Sequence, residues 1–261
     1  MSPRARTATK VGLELAVPVL LLVAWQLWSV SNDDPKFPRL SSILVEFRHM
    51  WLFSQFHEQV LPSLERIAAG FTIGVVAGVA LGVPIGLFRW SRIWATPHIE
   101  WWRNMPPPAL LPITVILLHS IGDRQKIGFI GFFCLFPVLL NTIDGVRGIE
   151  PTLMETARSY GVSWWEAVRR IVLPGALPQI IAGMRTSLSL AVITMVLAEY
   201  FSSTNGVGYV LLISKNTFQL TPMWATIVLI GALGYGLNLL FALWERRVLA
   251  WHRGWRATTA E

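Results

Sequence analysis

Six apolar stretches divide this chain, at roughly residues 11–30, 62–88, 106–121, 126–143, 177–201 and 223–245. Each is close to the length a helix needs to cross a hydrocarbon layer about 30 Å thick. The spacing predicts an all-α, polytopic membrane protein with about six transmembrane helices. Charge is correspondingly scarce: 14% of the 261 residues are Asp, Glu, Lys or Arg, while 53% are hydrophobic. A soluble domain carries about a quarter charged residues. The 13 tryptophans suit helices anchored at two lipid–water interfaces.

The net charge of +7 follows from membrane topology rather than from a nucleic-acid partner. With the N-terminus inside, the cytoplasmic segments carry fourteen basic residues: Arg4, Arg6, Lys10, Arg89, Arg92, Arg103, Arg147, Arg158, Arg169, Arg170, Arg246, Arg247, Arg253 and Arg256. The outer segments carry seven, Lys36, Arg39, Arg48, Arg66, Arg124, Lys126 and Lys215, with Arg185 in or near a span. Positive charge accumulates at cytoplasmic helix ends, so both termini are expected inside. No basic run or nucleic-acid motif accompanies the charge. The lone Cys134 excludes an intrachain disulfide. The first apolar stretch is as long as a spanning helix and lacks a small-x-small cleavage site before Asn32, so it reads as a retained first helix.

Between the first two spans, Ile43, Leu44, Phe47, Met50, Trp51 and Phe53 recur at near-helical spacing, which predicts an amphipathic helix on the outer surface. His49 and His57 have no nearby cysteine or third histidine, so no metal site is expected. The second span carries Gly70, Gly74, Gly78, Gly82 and Gly86, a ladder that lets another helix approach its backbone. It serves either close packing or a surface on which helices slide. Asn104 and Pro106–Pro108 open the third span, with Pro112 following. Prolines remove amide donors, and irregular backbone at membrane depth must be buried in protein or line a cavity. The segment reads equally as a pore-lining broken helix or as a cytoplasmic first turn. In the fifth span Thr186, Ser189, Ile193, Val196 and Tyr200 share one helical stripe, a candidate passage lining whose hydroxyls could equally bond neighbouring helices. Arg185, Glu199, Asp144 and the Glu65–Arg66 pair lie near or within spans, and Asp144 and Glu65–Arg66 are near helix ends, where interfacial anchoring is expected.

The longest cytoplasmic connection is Pro151–Pro174. Thr152 with Glu155, and Ser163 with Glu166, each form an S/T-x-x-E capping box. Gly161 suits the left-handed residue that ends the first helix. Arg169 and Arg170 suit the C-terminal end of the second, and Pro174 and Pro178 mark the return to the membrane. Two short helices joined at a glycine make a projecting knob.

Glu155-Thr156-Ala157, three residues, Gly161, nine residues, then Ile171-Val172-Leu173-Pro174 resembles the EAA loop of bacterial ABC importer permeases. The one departure is Thr156 in place of the second-position alanine. SLERIAAGFTIGVVAGVALGVPIGL, WRNMPPPALLP, LPGALPQIIAGMR and AEYFSSTNGVGY extend the resemblance over roughly residues 38–250, to the nitrate/sulfonate/taurine branch. His119-Ser120 stand where that branch commonly has an aromatic residue and glycine.

The resemblance implies a type I importer permease (MetI-like) fold in a bacterial inner membrane. It divides the chain into an N-terminal tail with first helix (1–30), an outer segment (31–61), a permease core (62–250) and a cytoplasmic tail (251–261). It also implies that Glu155, Thr156, Ala157, Arg158, Gly161, Ile171, Leu173 and Pro174 form the coupling loop that docks on an ATPase. The implied partners are two ATPase subunits, an extracytoplasmic substrate-binding protein and a second permease copy, most simply a homodimer. No catalytic or metal-binding residue and no cofactor is expected in this chain, ATP and Mg belonging to the ATPase. Consistently, no Gly-Lys dipeptide exists to build a phosphate-binding P-loop. The implied solute is a small anion such as a sulfonate, taurine, nitrate or organic carboxylate; vitamin-precursor permeases belong to related systems. A secondary transporter is the alternative class, but it would need midmembrane coupling charges and often repeated halves, and no internal repeat is present. An intramembrane enzyme would need a nucleophile with its base at bilayer depth.

Overall fold

The computed structural model describes residues 3–32, 34–118 and 122–250, and every regular element among them is helical. In chain order these are α1 (Pro3–Asn32), α2 (Leu40–Phe47), α3 (Leu61–Leu87), α4 (Arg89–Arg103), α5 (Pro107–Leu118), α6 (Asp123–Arg147), α7 (Pro151–Ser159), α8 (Trp164–Ala167), α9 (Leu173–Ser202), α10 (Val207–Asn216) and α11 (Leu220–Val248). Wider helical turns at Arg48–Ser54 and Phe56–Val60 lead from α2 into α3, and another at Val168–Val172 joins α8 to α9. Four helical runs are long and apolar enough to cross a membrane: Phe56–Leu87, Asp123–Arg147, Trp164–Ser202 and Leu220–Val248. They coincide with the second, fourth, fifth and sixth expected spans, and α1 with the first.

The glycine ladder sets the core. A Cβ placed on Gly70, Gly74, Gly78, Gly82 or Gly86 would lie 2.5–2.8 Å from the Cβ of Ile130, Cys134, Val138, Thr142 or Val146 respectively. Each partner is sixty positions further along, so α3 and α6 run parallel in one register for four turns, about 24 Å at 1.5 Å per residue. Axial displacement would carry every α6 side chain off its glycine. The ladder is therefore a close-packed seam, as the packing reading of these glycines expects.

α9 closes the core antiparallel to α6. Gly183 backs onto Asn141 and the Pro137 carbonyl, and Gly145 of α6 backs onto Gln179 and Ala176. Ser187 donates to the Cys134 carbonyl at 2.7 Å. Leu188, Ala191, Val192 and Met195 of α9 pack with Ile67, Ile130 and Cys134, and α11 leans on them through Ile230, Leu237 and Phe241.

The third crossing is broken. Ile99 of α4 is buried against Phe136, Leu139 and Ile143 of α6. The chain interrupts at Asn104–Pro106, and α5 continues until Thr114 accepts a hydrogen bond from Gln125 at 2.9 Å. Pro106 has no amide proton, and Pro107 and Pro108 occupy the first turn of α5, where none is needed. The twelve residues of α5 measure about 18 Å, too short for a 30 Å layer. The third expected span, 106–121, is realised as the short apolar helix α5 with α4 leading into it, and Arg103, expected in a cytoplasmic segment, instead lies beside Phe136 and Pro137 of α6. Pro107 and Pro108 fit the first-turn reading, and the interruption at Asn104–Pro106 fits the broken-helix reading.

At the end away from the α6–α9 connection, the segment expected to form an amphipathic helix is helical, with Ile43, Met50 and Trp51 buried and Leu44 exposed. Met50, Trp51 and Val60 pack with Val207 of α10 and Leu229 of α11. His119-Ser120 and residues 251–261 lie outside the described residues.

Candidate functional site

The α6–α9 connection is the projecting element. α7 starts two residues earlier than expected because Pro151 presets its first turn; the cap position falls on Glu150, which makes no side-chain capping bond. Thr152 therefore lies inside the first turn, and the first capping box does not form. Gly161 takes φ +73°, the left-handed region that glycine adopts without a Cβ clash. Around it the Gly161 N–H donates to the Arg158 carbonyl and the Val162 N–H to the Ala157 carbonyl, each at 3.0 Å, closing the end of α7.

The second box does form. Ser163 caps α8, accepting from the Glu166 N–H at 3.3 Å and donating to Glu166 Oε2 at 3.1 Å. From there the helix does not stop: Trp164–Ser202 is one continuous helical run of 39 residues. Pro174 sits at the start of α9 and Pro178 within it. The expected second short helix is thus the base of the fifth span, so any displacement of α8 is carried directly along α9.

Glu155, Thr156, Arg158 and Gly161 are exposed on the projection, while Ala157 is buried. The Thr156 hydroxyl is satisfied by the Thr152 carbonyl at 2.7 Å. Ile171 and Leu173 are half-buried and Pro174 is exposed; Leu173 packs against Val146, Val172 and Ala176. Tyr160 (83% exposed), Trp165 (66%) and Trp164 (53%) leave aromatic surface open on the same projection, of the kind that marks an interaction site.

The stripe on α9 divides. Thr186 is exposed beside Pro137 and Asn141 of α6, and Ser189 and Ile193 are also exposed, whereas Val196 packs against the core and Tyr200 is half-buried. Ser189 donates to Asn238 of α11 at 3.3 Å, and Lys215 of α10 donates to the Tyr200 hydroxyl at 3.0 Å. Arg185 meets Glu245 of α11 at 2.5 Å. Thr186 shares a cavity of about 330 Å³ with Asn104, beside the exposed Pro106. Arg103 and Asn141 also line it and were not foreseen. Asn141, a lone amide just inside an otherwise apolar span, was the available signal. Among the described residues no three His, Cys, Asp or Glu side chains group as metal ligands do.

A buried polar knot joins α3, α6 and α9 at the end opposite the projection. Arg66 is 2% exposed and Glu199 fully buried. Arg66 donates to Glu199 at 2.6 Å, to Asp123 at 2.8 Å and to the Asn205 side chain at 2.6 Å. Ser63 and the Gly208 N–H also donate to Glu199, at 2.8 and 3.0 Å. The interfacial-anchor expectation fails for Arg66 and fits only its exposed neighbour Glu65: one helical position separates the buried face of α3 from the exposed one.

A helical core held by a glycine seam, four helical runs long and apolar enough to cross a membrane, and a capped projection leading into one of them define an all-helical membrane protein. Residues 70–250 match the family model of binding-protein-dependent transport system inner membrane components, and the chain belongs to that family. It is 32% identical over 238 residues to a protein of Escherichia coli K12 named as an aliphatic sulfonates transport permease, SsuC, covering 90% of each chain. To the SsuC of Bacillus subtilis 168 it is 29% identical over 243 residues, 92% of this chain and 88% of that one. The inward-facing MetNI methionine ABC transporter has a chain of the same fold, with TM-score 0.66 at 21% identity, covering 76% of this chain and 97% of the other. The protein is accordingly a non-catalytic ABC permease subunit of the inner membrane, with ATP hydrolysis on a separate chain.

Proposed function

We propose that this chain imports a small anion, taking it from an extracytoplasmic binding protein and releasing it to the cytoplasm as a homodimer driven by two ATPase subunits. The observation that carries the reading is the projection: an exposed α7 closed at Gly161, followed by a capped α8 continuous with α9. Glu155, Thr156, Arg158 and Gly161 would face a groove on the ATPase, with Ala157, Ile171, Leu173 and Pro174 fixing the projection to the bundle. Closure of two ATPases would bring two projections together, and the unbroken α8–α9 run would turn that movement into tilting of the core. Both termini would then be cytoplasmic. The face bearing Asn104, Pro106, Thr186, Ser189 and Ile193 would line the passage between two copies, because exposed Thr and Ser at membrane depth need water or another subunit. The sulfonate names of the relatives supply the solute class, an alkanesulfonate or a similar anion.

The test is co-purification and ATP hydrolysis with the cognate ATPase. Glu155→Lys should leave membrane insertion intact and reduce transport-coupled hydrolysis by at least tenfold. Undiminished coupling in Glu155→Lys, or in a chain lacking residues 152–172, would refute the docking role.

A further inference from the structure

The break between α4 and α5 places a charged and amide-rich surface halfway through the bundle. Its neighbours are Phe136 and Pro137, in the middle of the 25-residue α6, and Thr186, in the middle of the 30-residue α9. Charge at such depth is costly and is retained where it has work to do. Arg103 commits only Nε, donating to Glu100 Oε2 at 2.7 Å. Its two terminal nitrogens make no other hydrogen bond among the described residues. Asn104 and Asn141 each donate from the side-chain amide to a carbonyl one turn back, at 2.6 and 2.8 Å, and each retains a second N–H.

Opposite these donors the wall is apolar, built from Phe133, Phe136, Leu140 and Leu190. The cavity therefore has two chemistries side by side within about 330 Å³. A guanidinium with both terminal nitrogens free is shaped to hold an oxyanion through two parallel hydrogen bonds. The Glu100 carboxylate orients it through Nε without occupying those nitrogens. An inorganic oxyanion would leave the apolar wall uncovered, and a neutral apolar solute would leave the two terminal nitrogens of Arg103 without an acceptor.

We infer that Arg103, Asn104 and Asn141, with the apolar wall of α6 and α9, form a midmembrane subsite for a small organic anion carrying a short apolar body. The inference rests on the importer reading and adds that the permease itself grips the solute during passage. A broken helix supplying ligands at the bilayer midplane is how backbone irregularity becomes tolerable there.

The experiment uses the complete importer, permease with its own ATPase and binding protein, in proteoliposomes. The probes are butanesulfonate, methanesulfonate and nitrate. The parent should import butanesulfonate; Arg103→Gln should lower that rate at least tenfold, and Arg103→Lys should restore part of it. Leu140→Trp, which fills the apolar side, should depress butanesulfonate uptake several-fold more than methanesulfonate uptake. Equal import by Arg103→Gln and parent overturns the subsite while leaving the importer reading intact, and so does a parent that imports nitrate but neither sulfonate. A parent chain that fails to retain its ATPase on purification sinks the importer reading, and the subsite with it.

Discussion

Gly78 of α3 lies so close to Val138 of α6 that a methyl group on the glycine would sit 2.8 Å from the valine Cβ. Real Cβ atoms do not approach that closely, and a β-branched side chain near its own backbone cannot swing away. Gly78→Ala should therefore force the seam apart and cost about 1–3 kcal/mol, the usual range for overpacking. Val138→Ala in the same chain should recover little of the loss, because alanine keeps the Cβ that the new methyl meets. Gly236→Ala in α11, where nothing lies within 4 Å, should be neutral or slightly stabilising. Thermal unfolding of the detergent-solubilised protein reads all three, and a Gly78→Ala protein as stable as the parent would contradict the close-packed seam.

The knot at the opposite end gives a second prediction. Arg66 neutralises a carboxylate that is fully buried, and removing one member of such a pair leaves the other charge uncompensated. Arg66→Met should cost about 3–5 kcal/mol. Glu199→Gln should cost less, because Ser63, the Gly208 amide and Asp123 still find partners. The order of the two midpoints is the discriminating result: equal losses would mean the knot is held by packing rather than by charge.

Much of this architecture was readable in the sequence because membranes leave few choices. Five of six spans followed from apolar length alone, and the glycines at every fourth position announced a close helix contact. The Gly161 turn and the Ser163 cap were equally legible, since each depends on one local backbone requirement. What escaped depended on distant partners. Arg66 reads as an anchor unless Glu199, 133 positions away, is known to meet it. Arg103 reads as a helix-end charge unless α4 is known to climb beside Phe136. The continuity of α8 into α9 was hidden by Pro174 and Pro178, which punctuate a sequence; the wider turn at Val168–Val172 precedes Pro174 and the helical run passes through both prolines.

At the projection, Gly161 and Ser163 have separable roles. Gly161→Ala keeps a small side chain but must hold φ +73°, a strained conformation for alanine that costs roughly 1 kcal/mol. Ser163→Ala removes the cap from the Glu166 amide, worth about 1 kcal/mol. Both costs fall on the projection and not on the core, so global unfolding should barely change. Hydrogen exchange should rise in residues 157–167 of either variant while the amides of α6 keep their protection. Unchanged exchange in that segment would show that contacts elsewhere, and not these two residues, hold its shape.

The Arg185–Glu245 contact between α9 and α11 should behave asymmetrically. The two groups approach to 2.5 Å, yet the Arg185 side chain is 51% exposed and that of Glu245 only 17%. Losing the arginine strands a mostly enclosed carboxylate, whereas losing the carboxylate leaves a guanidinium that half reaches solvent. Exposed pairs contribute little, about 0–1 kcal/mol, and the open side of this one screens it further. Arg185→Ala should consequently lower stability by about 1 kcal/mol, towards the bottom of the range for an unsatisfied polar group. Glu245→Gln should be near neutral, because it leaves only a half-exposed guanidinium without its counter-charge. Because the contact ties α11 to the helix that continues the projection, Arg185→Ala should also loosen α11 selectively. Cysteine cross-linking between introduced residues at 189 and 238, where the two helices already meet through Ser189 and Asn238, measures that directly. A slower cross-link in the Arg185→Ala background is expected, and an unchanged rate would assign α11 docking to the apolar contacts of Ile230, Leu237 and Phe241 alone.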